Sequence, residues 1–483
     1  MKLSDILDNT DVVAVAGDTA VEIVELTFDS RAVREGSCFF AIVGERSDGH
    51  DFIGQAVGAG AAAVVCSRMP HERRDGVTYV QVAETHEALG LMASAFYGHP
   101  SRELHLVGIT GTNGKTTTAT LLCDMFCGLG YAAGLISTVE CRIGGRRTES
   151  THTTPDPIRL NAMLREMAQC GCQYCFMEVS SHAAVQRRTA GLHFAGGVFT
   201  NITHDHLDYH KTFAEYIRAK KSFFDALPPT AFALVNTDDR NGRVMVQNTR
   251  AAVYEMSMHS AADFTCRVLE MHFDCMELQF GGDDVWVQFL GRFNAANLLS
   301  VYAVALLLGA DRTEVLGMLS RLRPVSGRFE YMTSADGVTA IVDYAHTPDA
   351  LRNVLQTVGE IRCEGRVTVV CGCGGDRDRT KRPEMARIAA DNADMAIFTS
   401  DNPRSEDPEE ILREMIAGVD DSRRWLKIAD RADAIRTAVL TARPGDIVVV
   451  AGKGHETYQI VGTEKRHFDD REEIAAAFGM RAE

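Results

Sequence analysis

The chain has 483 residues and a formal net charge of −16 at pH 7. This length predicts roughly two to four domains, each large enough to bury its own core. The negative charge argues against a broad nucleic-acid or membrane surface, because either partner needs a basic patch. Basic residues are scattered or paired, as at Arg187 and Arg188, which suits small anionic ligands.

The thirteen cysteines are an odd number, and their dispersal lacks the spacing of a disulfide framework. They predict reduced thiols. Residues 1–13 include acidic side chains and no apolar core, so we expect no signal peptide. The longest apolar run, residues 298–308, is too short to span a bilayer and predicts a buried helix. We therefore expect a cytoplasmic protein.

Residues 1–99 form a first unit without a catalytic motif of its own. Two polar segments, 29–31 and 45–51, predict surface loops that could hold a substrate together with a second domain. Between them, residues 38–43 predict a buried strand. Residues 56–65 predict a helix running into another helix. The segment 97–101 predicts a domain boundary.

A glycine-rich turn ending in Lys115 and Thr116 lies between a predicted strand at 104–109 and a predicted helix. Glycines let backbone N–H groups turn toward a polyphosphate, and the helix N-terminus adds its dipole. The spacing is shorter than G-x-x-x-x-G-K-[ST], because Ile109 stands where the first glycine should be. An ordinary strand–turn–helix joint is the alternative. Gly-Lys-Thr at a helix start favours an ATP site, with Lys115 on the β/γ-phosphates and Thr116 on Mg²⁺.

Residues 102–324 alternate between predicted strands and helices, which indicates a mostly parallel, doubly wound sheet. Ligands bind at the carboxyl ends of the strands in such sheets, and polar clusters follow several strands here. Glu178 at one strand end and His206 beyond the next are candidates to complete a Mg²⁺ shell begun by Thr116. A structural role for His206 is the alternative, since histidine is an unusual Mg²⁺ ligand. Beyond residue 266, alternating polarity predicts antiparallel hairpins.

Cys170, Cys172 and Cys175 form a cluster that includes one C-x-x-C pair. No second pair or histidine follows at zinc-finger spacing. We therefore favour small residues at a helix-to-strand turn over a zinc site.

Residues 325–483 alternate again, with strands predicted at 338–342, 367–371, 395–399, 425–428 and 447–450. Four of the following loops carry charge, at 343–348, 372–378, 401–404 and 452–456. One charged loop would be unremarkable, whereas four at one sheet edge predict a site. The pattern indicates a second nucleotide-binding-like sheet facing the first.

Five motifs carry a family resemblance over essentially the whole chain, at residues 111–117, 153–156, 178–182, 205–210 and 452–456. Together they resemble the Mur ligase family, ATP-dependent enzymes that extend the peptide of peptidoglycan precursors. Asp401-Asn402-Pro403-Arg404 resembles the motif of the diaminopimelate-adding branch. The resemblance implies an α/β protein of three domains: a small N-terminal α/β domain for the UDP substrate (1–99), a central P-loop domain with a doubly wound, mostly parallel sheet (100–324) and a C-terminal Rossmann-like domain for the amino acid (325–483).

The resemblance also implies roles for individual residues. The UDP-muramoyl dipeptide would be held by Ser30, Thr153, Thr154, Ser180, Gln186 and Arg188. ATP would be bound by Gly111, Thr112, Asn113, Gly114, Lys115, Thr116, Thr117, Asn294, Arg328, Asp343 and His346. The incoming amino acid would be held by Arg377, Asp401, Asn402, Pro403, Arg404, Gly452 and Glu456. The uracil contacts near residues 45–47 stay open.

Four residues would carry the chemistry, namely Lys115, Glu178, His206 and Lys220. Lys220 matches the lysine that the family carbamylates, although its neighbour Lys221 leaves room for a slip of one position. Thr116, Glu178, His206 and carbamylated Lys220 would surround Mg²⁺.

The implied reaction couples ATP to amide bond formation. The γ-carboxylate of UDP-MurNAc-L-Ala-D-Glu becomes an acyl phosphate, and the amine of meso-diaminopimelate then displaces phosphate. We expect a monomer that contacts neither nucleic acid nor membrane. Three alternatives stay open: an L-lysine-adding homologue, a folylpolyglutamate synthetase-like ligase and a P-loop switch or motor. The alternative role for Arg404 is a structural one, in which it caps its loop by pairing with Glu406 or Asp407.

Overall fold

The computed structural model describes residues 1–44, 47–150, 152–205, 207–272, 274–362, 364–420 and 422–482. The fold is α/β, as predicted, and contains three main sheets that follow one another along the chain. Their strands lie within residues 12–82, 105–287 and 330–451. The domain boundaries at 99/100 and 324/325 stay predictions.

The first sheet has the strand order β1-β5-β4-β3-β2, with β2 to β5 parallel and β1 antiparallel to β5. Its strands are β1 (Val12–Ala16), β2 (Glu25–Thr27), β3 (Ser37–Phe40), β4 (Ala63–Cys66) and β5 (Thr78–Val82). Its α-helices are α1 (Leu3–Ile6), α2 (Ile53–Gly58) and α3 (Thr85–Phe96), and 3₁₀ turns span Gly49–Phe52 and Pro100–Arg102.

The helical prediction for residues 56–65 is wrong in its second half. Helix α2 ends at Gly58, and β4 follows as a fully buried strand. A short alanine-rich apolar run has no periodicity that separates a buried strand from a buried helix. The β-branched Val64 and Val65 favour the strand, where they pair with both neighbours in the sheet.

The central sheet has eleven strands in the order β16-β15-β14-β13-β12-β11-β6-β10-β7-β8-β9. The strands are β6 (His105–Thr110), β7 (Ala133–Ile136), β8 (Glu140–Ile143), β9 (Arg146–Glu149), β10 (Tyr174–Glu178), β11 (Gly196–Phe199), β12 (Phe232–Asn236), β13 (Ala252–Ser257), β14 (Phe264–Met271), β15 (Met276–Phe280) and β16 (Asp283–Val287). The helices are α4 (Lys115–Gly128), α5 (Pro157–Gln169), α6 (Ser181–Val185), α7 (Leu207–His210), α8 (Phe213–Asp225), α9 (Gly242–Met245), α10 (Arg292–Leu307) and α11 (Arg312–Leu319).

The seven strands from β14 to β7 in this order are parallel, and antiparallel hairpins extend both edges. The predicted hairpins beyond residue 266 are therefore confirmed as β14 to β16. The predicted buried helix at 298–308 corresponds to the second half of α10, which ends at Leu307 and whose side chains pack into the main apolar core of this sheet.

The third sheet has the order β17-β18-β22-β19-β20-β21, parallel except for β17, and a separate hairpin follows it. The strands are β17 (Glu330–Thr333), β18 (Thr339–Asp343), β19 (Val367–Cys371), β20 (Met395–Phe398), β21 (Trp425–Lys427), β22 (Ile447–Ala451), β23 (Tyr458–Val461) and β24 (Glu464–His467). The helices are α12 (Pro348–Ile361), α13 (Lys381–Asn392), α14 (Pro408–Ile416), α15 (Arg431–Thr441) and α16 (Asp470–Ala482).

Three helices near the sheet edges begin with the same N-terminal capping motif. Asp156, Thr347 and Asp407 accept hydrogen bonds from backbone N–H groups of the first turn, and each is followed by proline. The cap satisfies N–H groups that have no partner within the helix, and proline has the backbone angle that the first turn needs. These short motifs fix where α5, α12 and α14 begin.

No helix in the described ranges is both long enough and apolar enough to cross a membrane.

A buried ion pair joins α15 to α16 behind the third sheet. Arg431 and Asp470 are both fully buried, and the guanidinium donates two hydrogen bonds of 2.8 Å to the carboxylate. Arg431 also donates to the carbonyl of Ala451, the last residue of β22, at 3.1 Å. The pair therefore fixes the C-terminal helix to the strand that leads into the 452–456 loop.

Arg431→Ala should lower the thermal unfolding midpoint of the protein, because it leaves the buried Asp470 carboxylate without its cation. Breaking such a pair costs about 3–5 kcal/mol. Scanning calorimetry measures the midpoint, and Arg436→Ala on the same helix is the matched control, since the Arg436–Asp433 pair is largely exposed. Equal midpoints for the two variants would contradict this account.

Candidate active site

A cavity of about 590 Å³ lies between the central and third sheets. Residues from 112 to 300 line one side, and residues from 328 to 458 line the other. Among the described residues, none from 1–99 contributes to its walls. The carboxyl ends of parallel strands from both sheets open into this space, as the doubly wound pattern predicts.

The predicted phosphate loop joins β6 to α4 and is braced by the segment that follows β11. The Asn113 N–H donates to Asn201 Oδ1 at 2.9 Å, and Thr200 Oγ1 donates to the Asn113 carbonyl at 2.6 Å. Gly114 has φ +85°, and a Cβ there would lie 2.4 Å from Asn297 Oδ1. Only glycine therefore fits at the start of α4 without displacing Asn297.

The side-chain nitrogens of two lysines meet at one carbonyl of this loop. Lys115 Nζ donates to the carbonyls of Gly111 at 2.9 Å and Thr112 at 2.8 Å. Lys220 Nζ also donates to Gly111, at 2.6 Å, and its side chain is buried. Desolvation, followed by repulsion from Lys115, holds the pKa of Lys220 well below its ordinary value. Lys221 instead pairs with Asp225 at 2.6 Å, so the cavity lysine is Lys220.

Glu178 ends β10 with a fully buried carboxylate. Its Oε1 accepts hydrogen bonds from Thr116 Oγ1 at 2.8 Å and from the Thr138 N–H at 2.7 Å. Its Oε2 has no hydrogen-bond donor in the described part of the chain. A buried carboxylate oxygen beside a threonine hydroxyl suits Mg²⁺, which prefers oxygen ligands. His206 lies outside the described residues.

Two residues of the domain that contains the third sheet contact the phosphate loop across the cavity. Arg328 Nη2 donates to Thr116 Oγ1 at 3.2 Å, and its guanidinium stacks 4.4 Å from the centre of the Tyr344 ring. Asn113 Nδ2 donates to Asp349 Oδ2 at 3.2 Å. Of the predicted ATP residues, Arg328 therefore already contacts the loop from the opposite domain.

Two residues of the third domain, Lys381 and Asp378, add cross-domain contacts. Lys381 Nζ lies 3.9 Å from Asp205 Oδ1, and both side chains are buried. His204 Nε2 lies 3.2 Å from Asp378 Oδ2. These pairs connect the start of α13 to the segment after β11, so the two domains are closed on each other.

Asp343 is the last residue of β18, and His346 lies on the loop that follows. Asp343 accepts hydrogen bonds from the N–H groups of Phe329 at 2.7 Å and Ala345 at 2.8 Å. Desolvation raises the pKa of Asp343 to about 6. His346 Nδ1 donates to the Tyr344 carbonyl at 2.8 Å, which leaves Nε2 as the acceptor. Burial lowers the pKa of His346 to about 4, helped by Lys381.

Asn294 lies on the first turn of α10 and lines the same cavity. Its Nδ2 donates to the Leu290 carbonyl at 2.9 Å, and its Oδ1 accepts from Asn297 Nδ2 at 3.3 Å. The predicted ATP residues are therefore gathered at the cavity from the phosphate loop, α10 and β18.

Most residues predicted to hold the UDP substrate lie together at the far end of the cavity. Thr154 Oγ1 donates to the Glu178 carbonyl at 2.8 Å and accepts from the Ser180 N–H at 3.1 Å. Arg188 donates to the Thr154 carbonyl at 2.5 Å and to Gln186 Oε1 at 2.7 Å. Four of these residues line the cavity, namely Thr153, Thr154, Ser180 and Arg188.

Ser30 is not brought to the cavity. Its hydroxyl donates to Gln55 Oε1 at 3.3 Å within the first domain. The polar loop at 45–51 includes residues 45 and 46, which lie outside the described residues. The structure thus brings most of the residues predicted to bind ATP and the muramoyl dipeptide to one cavity, whereas Ser30 lies apart from them.

Of the residues predicted to hold the amino acid, Asp401, Asn402 and Glu456 are linked by hydrogen bonds, and Arg377 and Glu456 alone line the cavity in the described structure. Asn402 Nδ2 donates to Glu456 Oε2 at 2.9 Å. Gly452 has φ +119°, and a Cβ there would lie 2.7 Å from Asp401 Oδ2. Burial and the nearby Asp401 raise the pKa of Glu456.

Arg404 does not pair with Glu406 or Asp407. Its Nη1 donates to the Gly375 carbonyl at 2.7 Å, and within the described ranges no carboxylate lies within 4.0 Å of its guanidinium. Glu406 pairs instead with the buried Arg382 at 2.9 Å, and Asp407 caps α14. The loop-capping alternative for Arg404 is therefore wrong, because other residues occupy both carboxylates.

Several cavity residues were missed in the sequence. Asn297, Thr138 and Tyr344 have no motif of their own, and their contacts depend on how α10, β7 and β18 pack. His455 lies within the motif at 452–456, and the family resemblance implies no role for it. Histidine in a Gly-Lys-Gly-His-Glu loop is a signal that could have been used.

The three-cysteine cluster has two buried members in the core of the central sheet, Cys172 and Cys175. Cys170 is exposed at the end of α5. Within the described residues, no group of three or more histidine, cysteine, aspartate or glutamate side chains is arranged to hold a metal ion.

Three protein-family models match successive parts of the chain. They are described as Mur ligase family, catalytic domain (residues 22–97), Mur ligase middle domain (109–305) and Mur ligase, glutamate ligase domain (327–454).

Curated relatives match over nearly the whole length. UDP-N-acetylmuramoyl-L-alanyl-D-glutamate--2,6-diaminopimelate ligase of Bacteroides fragilis is 52% identical, covering 99% of this chain and 100% of the relative. The protein of the same name from Cytophaga hutchinsonii is 53% identical, covering 98% of each chain. The chain is thus similar from end to end to ligases that share one name.

Solved structures agree with this similarity. A structure of a ligase with that name is 29% identical with a TM-score of 0.71, covering 100% of this chain and 99% of its own. Folylpolyglutamate synthase of Mycobacterium tuberculosis is 19% identical with a TM-score of 0.60, covering 76% of this chain and 93% of its own. The similarity to folylpolyglutamate synthase indicates a shared fold and nothing more.

Acidification should destabilise the protein through two cavity histidines. Burial lowers the pKa of His346 to about 4 and, together with Arg328, that of His455 to about 3, against an ordinary value of 6.5. Unfolding therefore takes up protons below about pH 6.5, and stability falls as pH falls. The raised pKa of Asp343 acts in the opposite direction, because the folded state binds its proton more tightly.

His455→Phe should make this pH dependence shallower by about 1.4 kcal/mol per pH unit between pH 4.5 and 6, roughly the value for one proton. Thermal unfolding midpoints measured across this range give the slope. His71→Phe is the control, because His71 is exposed. An unchanged slope in His455→Phe would refute the assignment.

Proposed function

Because the chain belongs to the Mur ligase family, we propose that it is an ATP-dependent ligase that adds meso-diaminopimelate to UDP-MurNAc-L-Ala-D-Glu. The new amide forms at the D-glutamyl γ-carboxylate, in the synthesis of peptidoglycan precursors. The observation that carries this proposal is full-length identity of 52–53% to ligases named for 2,6-diaminopimelate. The gathering of the phosphate loop, Arg328, Arg377 and Glu456 around one cavity supports it.

In this proposal the phosphate loop prepares the first step. The Lys115 ammonium leaves its loop carbonyls and contacts the β/γ-phosphates, while N–H groups at the start of α4 face the same oxygens. Arg328 adds a second positive charge from the other domain. The γ-carboxylate oxygen attacks the γ-phosphorus, the bond to the ADP oxygen breaks, and an acyl phosphate forms.

In the second step, the amine of the amino acid attacks the acyl carbon. The carbon–oxygen bond to phosphate breaks, the amine loses its proton, and phosphate, ADP and the UDP-muramoyl tripeptide are the products. Closure of the two domains by Arg328, Asp349 and Lys381 supports exclusion of water, which would otherwise hydrolyse the acyl phosphate.

The donor set fits Mg²⁺. Thr116 and Glu178 would hold it, with His206 as a further candidate. When bound, Mg²⁺ supplies positive charge that offsets the charge of the transferring phosphoryl group. The buried Glu178 Oε2, which lacks a donor among the described residues, supports this role.

Lys220 has the chemistry that a carbamate requires. Carbamylation consumes a neutral amine, and burial together with Lys115 favours the neutral form. The product is an anion, so the repulsion between Lys115 and Lys220 becomes an attraction. This change of sign at a buried site supports Lys220 as the carbamylated residue.

The Arg404 guanidinium, which no carboxylate of the described residues pairs with, supports meso-diaminopimelate over L-lysine. Meso-diaminopimelate carries a distal carboxylate that L-lysine lacks, and arginine can bind a carboxylate through two parallel hydrogen bonds. Arg377 lies at the cavity wall, and Glu456 would receive the adjacent ammonium. L-lysine would leave Arg404 unpaired.

Soluble nucleotide-linked substrates suit an enzyme that works in the cytoplasm, and we propose a monomer there. Ser30 would contact the UDP group from the first domain. Thr153, Thr154, Ser180, Gln186 and Arg188 would hold the muramoyl dipeptide.

ADP release measured with each substrate omitted in turn tests the function. A ligase should release ADP only when UDP-MurNAc-L-Ala-D-Glu and meso-diaminopimelate are both present, and Glu178→Gln should abolish the release while keeping the hydrogen bonds from Thr116 and Thr138. ADP release that does not depend on either substrate would favour a P-loop switch or motor instead.

Lys220→Ala should be nearly inactive and should regain activity when a short carboxylic acid is added, because the acid replaces the anion of the carbamate. ADP release with increasing acetate or formate measures the rescue. Lys221→Ala is the matched control and should keep its activity. Full activity of Lys220→Ala without added acid would end the carbamate assignment.

Arg404→Ala should lose mainly the activity with meso-diaminopimelate, since the substrate's distal carboxylate loses its partner. Sites built for a polar group can reject analogues lacking it by ~10⁴-fold. The kcat/KM values for meso-diaminopimelate and L-lysine, in wild type and in the variant, measure this preference. Equal use of both amino acids by the wild type would point to the L-lysine-adding alternative.

A further inference from the structure

The segment Gly452-Lys453-Gly454 resembles a phosphate-binding turn, yet Lys453 is engaged elsewhere. Its side chain is fully buried at 0% exposure. Its Nζ donates to the Tyr458 carbonyl at 2.6 Å and to Asn402 Oδ1 at 3.0 Å, and lies 3.5 Å from Glu456 Oε2. Three acceptors match the three N–H donors of an ammonium group, so no donor is left for a phosphate.

All three partners belong to the amino-acid end of the site. Asn402 lies in the 401–404 loop, Glu456 lines the cavity, and Tyr458 lines it as the first residue of β23. Asn402 also donates to Glu456 Oε2 at 2.9 Å and accepts from the Ile460 N–H at 2.9 Å. Lys453 therefore joins three separate segments at one point.

We propose that Lys453 is a positioning residue for the amino-acid site: it orients the Glu456 carboxylate and keeps it ionised, so that Glu456 can receive the ammonium of the incoming amino acid. Lys453 acts through Glu456 and does not itself contact the substrate. This inference rests on the proposed function.

The electrostatic reason is the crowding of acidic groups around Glu456. Burial raises the pKa of Glu456, Asp401 raises it further, and Lys453 acts against both. Without the Lys453 cation, Glu456 would take up a proton and lose its attraction for an ammonium group. The other charged or titratable groups that face this pair are Asp401, Arg404, Arg431, Asp470, Tyr344 and Tyr458.

Lys453→Met tests the inference by steady-state kinetics on the full chain. The KM for meso-diaminopimelate should rise roughly 10- to 100-fold, the loss expected for one hydrogen bond to a charged group. The KM values for ATP and UDP-MurNAc-L-Ala-D-Glu should not change. The ratio of variant to wild-type KM should fall toward one as pH rises, because alkali ionises Glu456 without help from Lys453.

A purely structural defect would raise all three KM values by a ratio independent of pH, and that result would overturn the inference. The double variant Lys453→Met with Glu456→Gln gives a second readout. Once Glu456 is an amide, Lys453→Met should change the KM for meso-diaminopimelate less than about two-fold, whereas additive effects would also overturn the inference.

Two further variants complete the design. Lys427→Met, at an exposed ion pair with Glu409, is the matched control and should behave as wild type. If Lys453→Met does not fold, Lys453→Gln replaces it, since its amide can still donate to the Tyr458 carbonyl, and the same rise in KM is expected. A wild type without substrate-dependent ADP release would refute the proposed function, whereas a working wild type and an unchanged KM in the folded variant would refute this inference alone.

Discussion

The close approach of the Lys115 and Lys220 amino groups at the phosphate loop is the interaction on which the site depends. Lys115 and Lys220 both donate to the Gly111 carbonyl, in surroundings where little water can screen their repulsion. Glu178 supplies one nearby negative charge, and its second oxygen faces no donor within the described residues. Such a site is electrostatically incomplete, and it favours ligands that bring negative charge and a cation together.

Closure of the two domains places these charged groups in a space of low dielectric constant. Arg328 and Asp349 contact the loop from the third domain, and Lys381 approaches Asp205. The same desolvation lowers the pKa of His346 and raises that of Asp343, so proton affinities and domain contacts have one physical cause. Opening the domains would admit water and weaken every one of these effects.

At the end of the cavity proposed to bind the amino acid, buried cations hold the surrounding polar and acidic side chains in place. Arg382 binds Glu406, and Lys453 contacts both Asn402 and Glu456. Arg431 fixes the strand before the 452–456 loop. Arg382 and Lys453 pair with Glu406 and Glu456, and Arg404 keeps a guanidinium that no carboxylate of the described chain pairs with. In the proposed function, selectivity for a substrate carboxylate would therefore depend in part on side chains that do not contact the substrate.

The sequence by itself determined the α/β class, most strand positions and the phosphate loop, because apolar periodicity and Gly-Lys-Thr before a helix are local signals. It also determined which loops carry charge, since these follow the predicted strands. Local signals failed at residues 56–65, where a short alanine-rich run fits helix and strand equally well. Only the tertiary structure decided that Lys220 and not Lys221 faces the cavity, that Arg404 has no carboxylate partner among the described residues, and that Lys453 is buried under Glu456. Each of these depends on contacts between segments distant in sequence, and no single segment encodes its own partner.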